Sequence, residues 1–214
     1  MIKKKQKILL FFLFAFSIYC ALKIGQSWDE AFHLIQGKTT LDYLLSLGKI
    51  DKDILYRENY STIYWSFSYL LTMIFPSQYQ IEVSHLINTL LSLGTIFGIR
   101  KLSQELFNYK VGNLVFLILF FYPIFFGHMA INYKDMVLAF SHVWMTYLML
   151  RYLKKNNTKE NTNHYVIFLG ILAAISTGIQ LVFLGSLLPI FLFILFEIFF
   201  FKKLTNKNFS KKIF

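Results

Sequence analysis

Two acidic positions in this chain have the residue types and spacing to do chemistry. Trp28-Asp29-Glu30 follows the first apolar block, and His33 comes one helical turn after Glu30 if this stretch is helical. Asp135 follows Asn132-Tyr133-Lys134 at the start of a later apolar block. Carboxylates are costly at membrane depth, so those at the ends of membrane spans usually have a role. Two carboxylates that meet at a bilayer surface could serve as general base and as metal or phosphate anchor.

The same acids have a purely structural interpretation. Asp29-Glu30 can cap the N-terminus of a helix, and Asp135 can pair with the neighbouring Lys134. Spacing alone favours this structural interpretation, and the chemical one stays open beside it.

The elements that must position these acids are apolar and long. Hydrophobic residues make up 56% of the 214 residues, with 25 Phe and 13 Tyr, and only 15% are charged. A typical globular protein has about 25% charged residues. The apolar residues form blocks long enough to cross a bilayer, which excludes a soluble domain and a disordered chain. The single cysteine, Cys20, provides neither an intramolecular disulfide nor a cysteine metal cage.

The basic residues indicate how the blocks are oriented. The net charge is +11, and the clusters at Lys3–Lys7, Arg100–Lys110, Arg151–Lys159 and Lys202–Lys212 flank apolar blocks. This is the pattern of positively charged cytoplasmic loops, so the N-terminus is predicted to be cytoplasmic. A basic groove with interleaved aromatic residues is absent, which argues against a nucleic-acid partner.

The predicted fold is an all-α polytopic membrane protein with about six transmembrane helices plus juxtamembrane helices. The predicted spans are residues 8–24, 81–99, 111–127, 136–153, 165–182 and 187–201, between a basic N-terminus (1–7) and a basic tail (202–214), both cytoplasmic. The outer loops are predicted at 25–80 and 128–135, with a tight turn near 183–186. Tyr60–Phe75 is assigned to the membrane interface, because a crossing there would move basic clusters to the outer side.

Polar residues inside the predicted spans have a simpler explanation. His85 and Asn88 in the second span, and His142 in the fourth, are predicted to form hydrogen bonds between helices.

Several short motifs resemble the GT-C superfamily of membrane glycosyltransferases. They are Trp28-Asp29-Glu30, then Arg57-Glu58-Asn59-Tyr60 with Tyr64-Trp65, and Asp135 after the third span. The likeness is closest to the protein mannosyltransferase and lipid A aminoarabinose transferase group. It implies a cell or inner membrane enzyme that moves a sugar from a polyprenyl-phosphate donor to a lipid, glycan or protein acceptor on the extracytoplasmic face.

The resemblance also implies roles for the acids. Asp29 looks like the family's catalytic residue and Glu30 like its usual neighbour, so both are predicted to be catalytic. Asp135 looks like the second-loop acid that positions donor phosphate or metal. Glu58 looks like a substrate-binding loop acid, although Asn59-Tyr60 stands where the aminoarabinose transferases have Lys-Pro.

The remaining predicted site residues are basic or imidazole groups that would contact substrate: Lys134, His128 and His33. The family fixes neither Lys134 nor His128 as a phosphate partner. No cofactor is certain, and a divalent metal would have Asp29 and Asp135 as its candidate ligands.

Two other interpretations remain open from the sequence. The chain could be a non-enzymatic transporter, or a subunit for assembly of the cell envelope. GT-C enzymes usually have more spans, so the chain is also expected to be a fragment, a short relative or a degenerate copy of such an enzyme.

Overall fold

The computed structural model of the protein describes residues 4–49, 62–156 and 162–201. Every regular element in these ranges is a helix and they contain no strand, so the predicted all-helical class is confirmed. The helices are α1 (Lys4–Lys23), α2 (Glu30–Leu45), α3 (Ile63–Thr72), α4 (Gln80–Leu106), α5 (Tyr109–Phe120), α6 (Pro123–Ile131), α7 (Tyr133–Asn156), α8 (Asn163–Ile179), α9 (Phe183–Ser186) and α10 (Leu188–Phe196). A 3-10 turn, Ser77–Tyr79, leads into α4, and a π-helix, Glu197–Phe201, continues α10.

Helix α4 lies at the centre and packs against α1, α3, α5, α6 and α7. Its buried face is largely polar: Ser84, His85, Asn88, Thr89, Ser92 and Thr95 are all at most 1% exposed. These residues recur every three or four positions, so they occupy one face of the helix. The core around α4 is therefore held by hydrogen bonds as well as by apolar packing.

Helices α4 and α7 run side by side in the same direction. The Trp144 indole N–H donates to the Gly94 carbonyl (3.1 Å), and further along both helices Glu105 pairs with Arg151 (3.3 Å) and Lys154 (3.1 Å). The basic residues that end α7 and the Glu105 carboxylate in the last turn of α4 consequently lie at one end of the bundle. The first residues of α7 lie about 35 Å from its last residues, at a rise of about 1.5 Å per residue over the 24-residue helix.

The predicted third span is broken. α5 ends at Phe120, α6 begins at Pro123, and the two helix axes differ by 69°. Proline has no backbone N–H and disfavours the helical conformation in the preceding residue, and Tyr122 accordingly has an extended backbone.

The predicted second outer loop, residues 128–135, is mostly helical. Residues 128–131 complete α6 and residues 133–135 begin α7, with only Asn132 between the two helices. The difference from the prediction arises because Asn132 caps α7, so the chain turns within one residue rather than over a loop.

The first predicted outer loop contains two packed helices. α2 and α3 meet at Gly37, where a Cβ would lie 2.7 Å from the Trp65 carbonyl carbon and 3.2 Å from the Ser66 nitrogen. A hydrogen bond between the hydroxyls of Thr40 and Thr62 (2.7 Å) ties the same two helices. Helix α3 occupies most of the segment that was assigned to the membrane interface.

Among the described residues, one helix, Ser77–Leu106, is long and apolar enough to cross a membrane. The bent pair α5–α6 would be a second if it forms one span, and the apolar helices Ile8–Lys23, Asn163–Ile179 and Phe183–Phe196 are shorter. Buried helices of soluble proteins can have the same length and composition, so the arrangement with about six spans stays a prediction.

Candidate functional site

A cleft of about 650 Å³ opens where the N-termini of α2 and α7 meet α3 and the end of α6. Its lining includes five of the predicted site residues: Asp29, His33, His128, Lys134 and Asp135. The rest of the lining is Ser27, Trp28, Phe32, Trp65, Ile131, Asn132 and Tyr133. The acids from the two predicted outer loops thus share one cleft.

Asp29 occupies the N-cap position of α2, but its carboxylate does not cap the helix. Instead, the Ser27 hydroxyl donates to Asp29 Oδ1 at 2.8 Å. The Glu30 side chain reaches back to the same residue, and its Oε2 accepts the Ser27 backbone N–H at 2.7 Å. Neither acid therefore caps α2 as the structural interpretation predicted: Glu30 accepts a backbone N–H that lies before the helix, and Asp29 lines the cleft.

Glu30 does not line the cleft, although it was paired with Asp29 as a catalytic residue. It is fully buried, and its Oε1 lies 2.7 Å from His85 Nε2. Successive residues of a helix point about 100° apart, so two neighbouring acids can face a cleft and a helix interface respectively. Glu30 is therefore enclosed between α2 and α4 and has no exposed surface toward the cleft.

Asp135 and Asn132 form a reciprocal cap at the N-terminus of α7. The Asp135 N–H donates to Asn132 Oδ1, and the Asn132 amide donates to Asp135 Oδ2, both at 3.1 Å. The N-terminal end of a helix also favours a carboxylate electrostatically. Asp135 was predicted to pair with Lys134 in the structural interpretation, and its observed partner is Asn132. The Asp135 side chain nevertheless stays exposed to the cleft.

Aromatic rings form one wall of the cleft. The His33 ring stacks on Trp65 with centroids 4.3 Å apart and an angle of 22°, and its centroid lies 5.6 Å from that of Tyr133. Phe32 meets Trp65 edge-on at 6.3 Å. At the rim, Trp28 is 95% exposed. Such rings offer flat apolar faces beside the polar groups of the cleft.

Tyr133 adds a polar group at the base of this wall. Burial raises the pKa of its hydroxyl well above the ordinary value, and the carboxylates of Glu30 and Asp29 act in the same direction. The Tyr133 hydroxyl therefore remains protonated at neutral pH and is able to donate a hydrogen bond but not to act as a base.

The polar residues assigned to packing do connect helices. The Asn88 amide donates to the Ala130 carbonyl (3.1 Å) and its oxygen accepts from the Tyr64 hydroxyl (3.3 Å), which joins α4 to α6 and α3. His142 Nδ1 lies 3.4 Å from the Ser186 hydroxyl, at the edge of a separate cavity of about 290 Å³. These contacts confirm the predicted hydrogen bonds between helices for Asn88 and His142. His85 of α4 likewise contacts Ala21 of α1 and Glu30 of α2.

Ser27 and Asn132 were not singled out from the sequence, although both hold a predicted acid. A signal was present, because Ser27-x-x-Glu30 and Asn132-x-x-Asp135 both have the spacing of a helix capping box. Tyr133 gave no signal of its own, since its position beside Glu30 depends on how α2 and α7 pack.

The predicted metal site has two acids in one cleft and few other ligands. Within residues 4–49, 62–156 and 162–201, no group of three or more His, Cys, Asp and Glu side chains could hold a metal ion. Asp29 and Asp135, the predicted metal ligands, line this cleft without forming such a group. Glu58, the other predicted substrate-binding acid, lies outside the described residues.

Comparison with protein-family models, with curated proteins and with solved structures gives no match for this chain.

Proposed function

We propose that the protein is an integral membrane glycosyltransferase that moves a sugar from a polyprenyl-phosphate donor to an acceptor hydroxyl on the extracytoplasmic face of the membrane. The chief support is the shared cleft, which brings Asp29, Asp135 and Lys134 together from distant parts of the sequence. A carboxylate base beside an ammonium group suits a reaction that removes a proton and releases an anionic phosphate.

A location in the membrane is supported by the distribution of apolar side chains. Large apolar residues are exposed along α1, α8 and α10, while α4 buries serine, threonine, asparagine and histidine. A water-soluble protein rarely exposes so much contiguous apolar surface. Lipid around the bundle would cover the outer face of these helices, and the polar face of α4 would be satisfied inside.

The geometry at α2 suits Asp29 to the role of base. Ser27 holds one carboxylate oxygen, which orients the group toward the cleft without neutralising it. Asp29 would accept the proton of the acceptor hydroxyl while that oxygen forms a bond to the anomeric carbon of the sugar. The bond from this carbon to the phosphate oxygen breaks, and the polyprenyl phosphate leaves as an anion that Lys134 and His128 face.

The aromatic wall of the cleft suits a sugar. Trp28 is exposed at the rim, and His33 lies over the buried Trp65, so the rings of Trp28 and His33 offer faces against which the C–H face of a pyranose can pack. The acids that line the cleft, Asp29 and Asp135, lie at the N-terminal ends of α2 and α7, and this position at helix ends favours interfacial chemistry over transport.

A transfer assay with the full chain in proteoliposomes tests the proposal. Polyprenyl phosphates carrying radiolabelled mannose or aminoarabinose are offered in turn, with membrane lipid and glycan extracts as acceptors. Asp29→Asn should lower transfer by about 10²-fold or more, the usual contribution of a general base. Asp42→Asn, which changes an acid of α2 outside the cleft lining, is the matched control and should leave transfer unchanged.

The outcomes separate the alternatives. Unchanged transfer by Asp29→Asn at an equal protein level would refute the role of Asp29 as base. Accumulation of the labelled lipid inside the vesicles without a glycosylated product would identify a transporter. Absence of both transfer and uptake would leave the envelope-assembly alternative.

A further inference from the structure

Glu30 and His85 form a fully buried pair directly behind the cleft. His85 lies near the N-terminal end of the polar face of α4, and Glu30 is in the first turn of α2. The His85 ring lies between two oxygens, with Nδ1 3.0 Å from the Ala21 carbonyl and Nε2 2.7 Å from Glu30 Oε1. The second carboxylate oxygen of Glu30 accepts the Ser27 N–H.

These contacts fix the number of protons. A carbonyl oxygen only accepts hydrogen bonds, so Nδ1 of His85 must carry a hydrogen toward Ala21. Nε2 and Glu30 Oε1 then need one further proton between them, because a bare nitrogen and a bare carboxylate oxygen at 2.7 Å would repel. The pair is either imidazolium with carboxylate or imidazole with carboxylic acid, and both forms have zero net charge.

A pair with zero net charge can be buried, whereas an isolated buried charge is expensive. The proton shared between the two side chains therefore explains how an acid and a histidine, both fully buried, are tolerated at this interface. Loss of either partner would leave the other without its hydrogen bond, which is the costly way to disrupt a buried pair.

The pair is connected to the cleft through Ser27. Glu30 holds the backbone N–H of Ser27, and the hydroxyl of Ser27 holds the Asp29 carboxylate. A continuous series of hydrogen bonds thus runs from α1 and α4 to the acid in the cleft. We infer that Glu30 and His85 share one proton and are positioning residues, which fix Ser27 and thereby the orientation of Asp29. The consequence for sugar transfer rests on the proposed function, while the shared proton does not.

Glu30→Gln is the sharpest test because it keeps every hydrogen bond but removes the need for the extra proton. The glutamine oxygen can accept the Ser27 N–H, and its amide can donate to Nε2 of neutral His85. Glu30→Leu has a similar volume but leaves both His85 and Ser27 without this partner. We expect the thermal unfolding midpoint of Glu30→Gln to lie closer to that of the wild type than the midpoint of Glu30→Leu does. We also expect Glu30→Gln to transfer sugar about tenfold or more faster than Glu30→Leu, because a small misplacement of a catalytic group lowers the rate strongly.

The proton itself is read by spectroscopy on the full chain in detergent at neutral pH. In wild type, nitrogen NMR of 15N-histidine protein should show His85 protonated on both nitrogens, or infrared spectroscopy should show a carboxylic acid band that disappears in Glu30→Gln. Glu105→Gln, at the other end of α4, is the control and should change neither signal. Signals that show neutral His85 together with ionised Glu30 would overturn the shared proton.

The activity data separate the roles of the two acids. If Glu30→Gln folds normally yet loses transfer as completely as Asp29→Asn, Glu30 acts on the substrate and the positioning role is overturned. If wild type shows no transfer at all, the proposed function fails, and the spectroscopic result still decides whether the pair shares a proton.

Discussion

Replacing Gly37 with alanine tests whether close packing of α2 on α3 holds the aromatic wall of the cleft. The new Cβ would lie 2.7 Å from the Trp65 carbonyl carbon, where ordinary carbon contacts are about 3.5–4.0 Å. The obstacle is backbone and cannot rotate away, so α2 and α3 would have to separate by about 0.8 Å or more to reach that contact distance.

The effect of Gly37→Ala on the free energy of unfolding can be compared with that of the same substitution at Gly170, a helical glycine with open space around it. Overpacking typically costs about 1–3 kcal/mol, and alanine in a helix regains about 1 kcal/mol over glycine. Gly37→Ala is therefore expected to destabilise the fold by up to about 2 kcal/mol. Gly170 lies within α8 with nothing within 4 Å of a built Cβ, so Gly170→Ala should instead stabilise by about 1 kcal/mol.

The assay is thermal unfolding of both variants in the same detergent, followed by circular dichroism, together with sugar transfer. Because Trp65 stacks on His33 in the cleft, Gly37→Ala should also lower transfer, by as much as about 10²-fold for a displacement near 1 Å. If Gly37→Ala unfolds at the same temperature as Gly170→Ala or higher, the close contact between α2 and α3 is refuted.

Three further predictions concern the cap, the buried tyrosine and the basic end of the bundle. Asn132→Ala should cost about 1 kcal/mol in thermal unfolding, since α7 loses its cap, whereas an unchanged midpoint would contradict the capping geometry. For Tyr133, burial raises the pKa of the hydroxyl in the folded protein above that in the unfolded chain. The contribution of this residue to the free energy of unfolding is therefore fully present below about pH 10, where the unfolded tyrosine titrates, and is lost as the pH rises further. Tyr133→Phe should flatten this alkaline loss in pH-dependent unfolding, and an equally steep loss would contradict it. Glu105→Gln should lower the free energy of unfolding by no more than about 1 kcal/mol, and by less at high salt, because the ion pairs of Glu105 with Arg151 and Lys154 are partly exposed. A larger loss that does not depend on salt, measured by urea unfolding, would contradict this prediction.

The local features of the fold were predictable because their causes lie within a few residues. The helical class follows from long apolar blocks without strand-like alternation, and it is confirmed. Pro123 provides a local reason for the bend that breaks the predicted third span, yet the apolar run through it concealed the bend. Asn132-x-x-Asp135 similarly contained the cap that replaced a predicted loop.

The contents of the site were partly predictable. Asp29, Asp135, His33, His128 and Lys134 were selected from residue type, order and position at the ends of apolar blocks, and all five line one cleft. That they lie together required the packing of α2, α3, α6 and α7, which no short motif specifies.

By itself, the sequence determined the helices, the grouping of basic residues at helix ends and the candidate acids, because hydrophobic period, charge and capping act over one or two turns. The tertiary structure decided which of the adjacent acids Asp29 and Glu30 meets the cleft. Glu30 is held by a hydrogen bond with His85, which is 55 residues away in the sequence and whose buried ring needs a hydrogen-bond partner inside the bundle. A buried polar group is satisfied by whichever residue the packing brings within hydrogen-bond distance, and that distance is a property of the assembled helices rather than of the local sequence.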